Sequence, residues 1–171
     1  MRKRTLHLIL TRIFLIVFLI SAFVACDKNL PKGDDDSPPY NFNATLSPLD
    51  TKSFGNKGFG LIRFRQDPDT ARIVDLHTYV FGLQPHHSYL LQRAVNPVTD
   101  PGCTSTAWLT LGLGLVAQDI ETDGLGNGHE DLWRDVTAAA RGTTFHIHFQ
   151  IIDAVTLAPV LTSDCNDYTV R

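Results

Sequence analysis

Six histidines beyond the N-terminal segment, together with a group of carboxylates after residue 118, hold most of the chemistry this chain offers. His146 and His148 lie two apart in residues 145–152, where Phe145, Ile147, Phe149 and Ile151 alternate with His146, His148 and Gln150. Strand side chains repeat with a period of two, so both imidazoles point to one face. His77 faces away from the core of its own segment, 71–81, where Val74, Leu76 and Val80 alternate with Asp75, His77 and Tyr79. Zinc or copper needs three or four ligands, and His86, His87 or His129 would have to complete any such set. Two ligands on one strand are an incomplete site. The sequence therefore favours a solvent-facing strand surface, with a transition-metal centre at His77, His146 and His148 as the alternative.

Asp119, Glu121, Asp123, Gly124 and Glu130 fall on positions 1, 3, 5, 6 and 12 of a calcium-loop frame. Position 3 departs, being Glu rather than Asp or Asn, and the incoming segment 111–114, with two glycines, makes a poor helix. A glycine-rich hairpin turn flanked by solubilising acids accounts for the same residues, so calcium there is again the alternative. For covalent catalysis the chain offers no Gly-x-Ser-x-Gly elbow, and no glycine-rich loop between strand and helix would cradle phosphate. Nothing places two carboxylates across a cleft for glycoside hydrolysis. The expectation is a protein that is not an enzyme.

The elements that must position these residues are strands. Residues 58–65, 71–81, 88–94, 108–111, 115–122, 145–152, 160–165 and 168–170 read as short strands, with turn signals at 68–69, 82–85 and 123–128. Segment 131–137 fits either strand or helix, and 95–105 reads as a long loop. Seven to nine short strands with turns every 8–12 residues indicate an all-β fold, a two-sheet Greek-key, immunoglobulin-like sandwich over residues 46–171. Gly-Leu-Gln-Pro at 82–85 after a strand, with His146-x-His148 elsewhere, is similar to the layout of copper/zinc superoxide dismutases. Those enzymes follow that motif with a metal-binding His-x-His pair, whereas here His86-His87-Ser88-Tyr89 follows. The resemblance covers architecture alone, and no dismutase ligand carries over.

Residues 1–26 have the parts of a secretory signal: Arg2, Lys3 and Arg4, then a largely apolar run over 13–25 that ends in small residues. That run is shorter than the roughly 18–20 residues that span a bilayer. An uncleaved anchor over 5–25 would bury Arg12 at about 2.5–3.5 kcal/mol. The end, Phe23-Val24-Ala25-Cys26, resembles the lipobox of bacterial lipoproteins, which implies lipidation of Cys26 and a membrane anchor. Residues 27–45 are expected to form a disordered acidic tether. Within them Asp34-Asp35-Asp36 resembles the acidic export tags of surface-exposed lipoproteins.

Beyond residue 26 there are 11 basic and 18 acidic residues, a formal charge of −7. That balance argues against nucleic acid as a partner. With Cys26 assigned to lipid, Cys103 and Cys165 remain, and in an oxidising compartment such a pair forms a disulfide. The sequence thus describes an outer-membrane lipoprotein facing the periplasm or the cell surface. Its role is binding or structural, toward a protein or carbohydrate, with calcium, zinc or copper as the metal-binding alternative.

Overall fold

The computed structural model describes residues 40–49, 58–68, 70–100 and 102–171. The expected leader, Cys26 and the stretch up to residue 39 lie outside the described residues. Those described form twelve strands and no helix. Six are long: β1 (Phe42–Pro48), β2 (Phe59–Gln66), β3 (Ile73–Phe81), β4 (Ser88–Pro97), β9 (Gly128–Asp135) and β10 (Thr144–Asp153). Between β4 and β9 come β5 (Leu109–Thr110), β6 (Gly112–Leu113), β7 (Val116–Ala117) and β8 (Asp119–Glu121). β11 (Pro159–Ser163) and β12 (Asn166–Thr169) complete the series. Seven to nine strands were expected from sequence; the excess is in two-residue pieces such as β5, β6 and β7, too short for any periodicity to declare.

Alternation fixes which side of each strand is buried. On β2 Gly60, Ile62 and Phe64 turn inward, and on β3 Val74, Leu76, Thr78 and Val80 do. A sheet with one apolar face must bury that face against another element or against itself. This sheet does the second. Its hydrogen-bonded order is β5-β4-β10-β11-β1-β2-β3-β9-β6-β7, and β8 pairs with β4. Because β8 also leads into β9 through the bridge Thr122↔Gly128, the sheet is nearly closed into a barrel. Inside, Phe42 stacks on Phe64 at 4.5 Å, and Tyr168 meets Phe64 edge-on at 4.7 Å.

Three boundaries move relative to the sequence reading. β1 starts at Phe42, with Ala44 and Leu46 buried, so residues 42–45 belong to the folded domain and not to the acidic tether. β4 continues to Pro97, inside the segment expected as a loop. Residues 131–135, for which helix and strand were both open, are strand, because β9 pairs with β3 along its whole length.

Cys103, in the segment after β4, is bonded to Cys165, in the link between β11 and β12, with their Cα atoms 5.5 Å apart. The disulfide closes a loop across a sequence separation of 62. Replacing both cysteines by serine is expected to keep the strand signal in circular dichroism. The urea midpoint should fall, with a loss of up to about 4 kcal/mol, the chain-entropy value for a loop of that length. An unchanged midpoint would remove the disulfide from the stabilising interactions.

Candidate functional site

On the outer face of the sheet, β3 and β9 bring together side chains from distant parts of the chain. Cross-strand register sets His77 opposite Asp131 and Tyr79 opposite His129. His77 Nδ1 donates to Asp131 Oδ1 at 2.6 Å, and His129 Nε2 lies 3.0 Å from the same oxygen. The Tyr79 ring stacks on His129 at 4.4 Å and fixes its orientation. One donor atom from each of His77, His129 and Asp131 falls within a 4.8 Å cluster, and among the described residues these three form the one such group of metal-ligating side chains.

The hydrogen bond from His77 holds the Asp131 carboxyl below the ordinary carboxylate range, and His129 adds to that effect. Asp131 is therefore an anion wherever the imidazoles are neutral and able to ligate. Two imidazole nitrogens and one carboxylate oxygen suit zinc, copper(II) or nickel(II) better than calcium, which takes oxygen ligands. Ligation would displace the protons now shared with Asp131 and set each donor about 2.0–2.2 Å from the ion. The Asp131 side chain is 63 % exposed and free to swing by the small amount this needs.

The other histidines stay apart from this group. His146 and His148 sit on β10, separated from β3 in the sheet order by β11, β1 and β2. His146 Nδ1 donates to Asp167 at 2.7 Å, while His148 Nε2 donates to the Ser105 carbonyl and its ring packs on Trp108. His87 Nε2 donates to Asp153 at 2.7 Å. Asp153 also accepts the backbone N–H groups of Thr156 and Val155, and this set, led by Thr156, pulls its carboxyl down to about 2.

Nor do the carboxylates of the calcium frame gather. Asp123 turns back on its own loop and accepts the N–H groups of Leu125 and Asn127 at 2.8 and 2.9 Å, an Asx turn. Glu121 accepts the Ser88 hydroxyl, Asp119 is exposed on β8, and Glu130 stands on β9 opposite Thr78.

Sequence patterning placed His77 outward but gave no sign of its partners, since the β3–β9 pairing joins segments about fifty residues apart. Two further residues, Arg93 and Arg134, line the interior without a motif to mark them. Arg93 follows Tyr89 and Leu91 at intervals of two, and Arg134 follows Leu132, so both point inward with them. No protein-family model, curated protein or solved structure matches this chain.

His148 generates a pH prediction. Burial lowers its pKa from the ordinary 6.5, opposed in part by the hydrogen bond to Ser105. Between its folded value and 6.5 the unfolded chain binds more protons than the folded one, so stability rises with pH across that window. Thermal unfolding is therefore expected at a lower temperature at about pH 5 than at about pH 7.5. His148→Gln, which keeps a donor for Ser105 without a titrating ring, should remove part of that difference. An identical pH profile in the variant would assign the slope to other groups.

Proposed function

We propose that this protein is a non-enzymatic, lipid-anchored module of the cell envelope that binds a divalent transition metal through His77, His129 and Asp131. The convergence of two imidazoles and a carboxylate on the outer face of β3 and β9 carries the reading. Three protein ligands leave a position open for water or for a donor from a partner molecule.

Export behind residues 1–26 and lipidation at Cys26 suit a domain stapled by a disulfide, because such bonds persist in oxidising compartments. The excess of acidic residues would favour accumulation of cations near the surface. In finer detail the fold is an immunoglobulin-like, Greek-key sandwich, its barrel flattened so that the walls containing β2 and β10 act as two sheets. Support comes from the Phe64 and Phe149 rings, which meet across the core at 6.3 Å.

The test uses the full chain without a polyhistidine tag. One zinc ion per chain is expected by calorimetry, and cobalt should give the absorption of a four- or five-coordinate site. His77→Ala and His129→Ala should each weaken zinc at least about tenfold, the loss of roughly 1.4 kcal/mol or more per ligand. His146→Ala should leave the affinity unchanged, and calcium should not compete. Absence of zinc binding, or zinc affinity indifferent to His77 and His129, overturns the assignment.

A further inference from the structure

Arg93 of β4 stands directly across from Phe149 on β10 and shares its inner face, where it is half-buried beside Val95. On β9 the phase that buries Leu132 against Leu76 carries Arg134, opposite Val74. Two guanidinium groups thus stand on the inner face of a sheet whose other inward side chains are mostly apolar. Both line a cavity of about 210 Å³, walled by Phe64, Leu76, Val95, Ile147 and Phe149. The turn after β9 supplies Val136, Ala138 and Ala139 to its lining.

The polar groups around this cavity are accounted for with one exception. Asp135, the carboxylate on the lining, accepts both the N–H and the hydroxyl of Thr137 at 2.6 Å. Arg134 gives one Nη to the Gly114 carbonyl at 2.8 Å, and the Tyr168 hydroxyl donates to Gln66. Arg93 has no hydrogen bond or ion pair with any other described residue. Burial lowers its pKa, and the like charge of Arg134 lowers it further. Arg93 is half-buried, so its guanidinium keeps access to solvent while standing against apolar groups with no counter-charge beside it. Its donors therefore remain available to an anion that enters the cavity.

We propose that the cavity binds a small amphipathic carboxylate, with Arg93 as the principal counter-charge and Arg134 beside it. A planar carboxylate meets guanidinium donors in a two-pronged geometry that a lone ammonium cannot reproduce. The formal charge of the lining, two arginines against Asp135, is +1, which matches a monoanion. The apolar walls disfavour a fully hydrated dianion such as phosphate. Size sets the remainder of the ligand: a cavity of about 150 Å³ takes benzene, so 210 Å³ admits a ring, or a chain of roughly eight carbons, with its carboxylate. This site lies on the inner face of the sheet and is independent of the metal ligands on the outer face.

The experiment titrates 3-phenylpropionate and octanoate into the full chain with EDTA present throughout, so that the outer-face site plays no part. At least one of the two acids should bind with one-to-one stoichiometry. Its neutral alcohol, 3-phenylpropan-1-ol or octan-1-ol, should bind at least tenfold more weakly, and inorganic phosphate should not bind. Arg93→Met should lose at least tenfold in affinity for the acid and keep its affinity for the alcohol. The same variant should unfold at no lower temperature than the parent when ligand-free, since Arg93 makes no hydrogen bond or ion pair with another described residue, and that separates lost recognition from lost fold. Arg93→Lys, which keeps the charge, should fall between parent and Met variant. Failure of both acids to bind, equal affinity for acid and alcohol, or undiminished affinity in Arg93→Met overturns the proposal.

Discussion

A curled sheet whose first and last long strands face each other must either join them or leave two open edges, and here the join depends on the buried side chain of Thr122. Its hydroxyl accepts the His87 N–H at 3.0 Å and donates to the Gln84 carbonyl at 2.7 Å. Its backbone N–H donates to His87, and its pairing with Gly128 starts β9. One small residue thereby fastens the turn before β4 to the hairpin between β8 and β9. Leu83 completes the closure, donating to Gly126 and burying its side chain at that end of the barrel. A Cβ on Gly126 would lie 2.0 Å from the Leu83 carbonyl oxygen, so only glycine permits the two turns to approach so closely.

The closure is partial, and the proposed carboxylate cavity lies along the partial part. β8 pairs with β4 only at Ser88, Tyr89 and Leu90. Farther along β4, at Gln92 and Arg93, the neighbour is the two-residue β5. The chain then crosses toward β9, with Leu111 donating to Leu91 and Gly114 donating to Trp133. Across this short-stranded stretch the two walls carry Arg93 and Arg134 on their inner faces. On the opposite side of the same strands the polar phase is exposed, and the β3–β9 register assembles His77, Asp131 and His129. Both sites follow from a single period-two pattern, one read from inside the sheet and one from outside.

How far the sequence declares this depends on whether a feature is local. The strands β2, β3 and β10 could be drawn from alternation alone, and the breaks at Gly82 and around Gly124 from turn chemistry. The disulfide is legible from the small number of cysteines and from the compartment the sequence leads one to expect. β1 is partly hidden, because Asn43 and Pro48 within it and Asn41 just before it give a loop-like composition, and its burial comes from pairing with β2 and β11. The His77–Asp131 contact spans 54 residues, and no property of either segment selects the other as its neighbour. His146 and His148 show the converse: their shared face is legible, but their partners Asp167 and Ser105 come from later and earlier chain that only the tertiary fold brings near.

Arg72 supplies the last link between the frame and the interior. It holds a left-handed backbone conformation, φ 55°, which costs a residue other than glycine roughly 1–2 kcal/mol. From there its guanidinium donates to the carbonyls of Val136, Thr137 and Ala139, while its own carbonyl accepts the Val136 N–H. Three charge-assisted hydrogen bonds at about 1.5 kcal/mol or more each outweigh that backbone cost. What they hold is the turn that lends Val136 and Ala139 to the cavity lining. A turn fixed by three donors from one rigid side chain does not need to be ordered when a ligand arrives, so the entropy that a mobile lid would lose on binding has already been lost on folding. The stapled turn and the half-buried Arg93 thus lie on the lining of one cavity whose walls are set on folding.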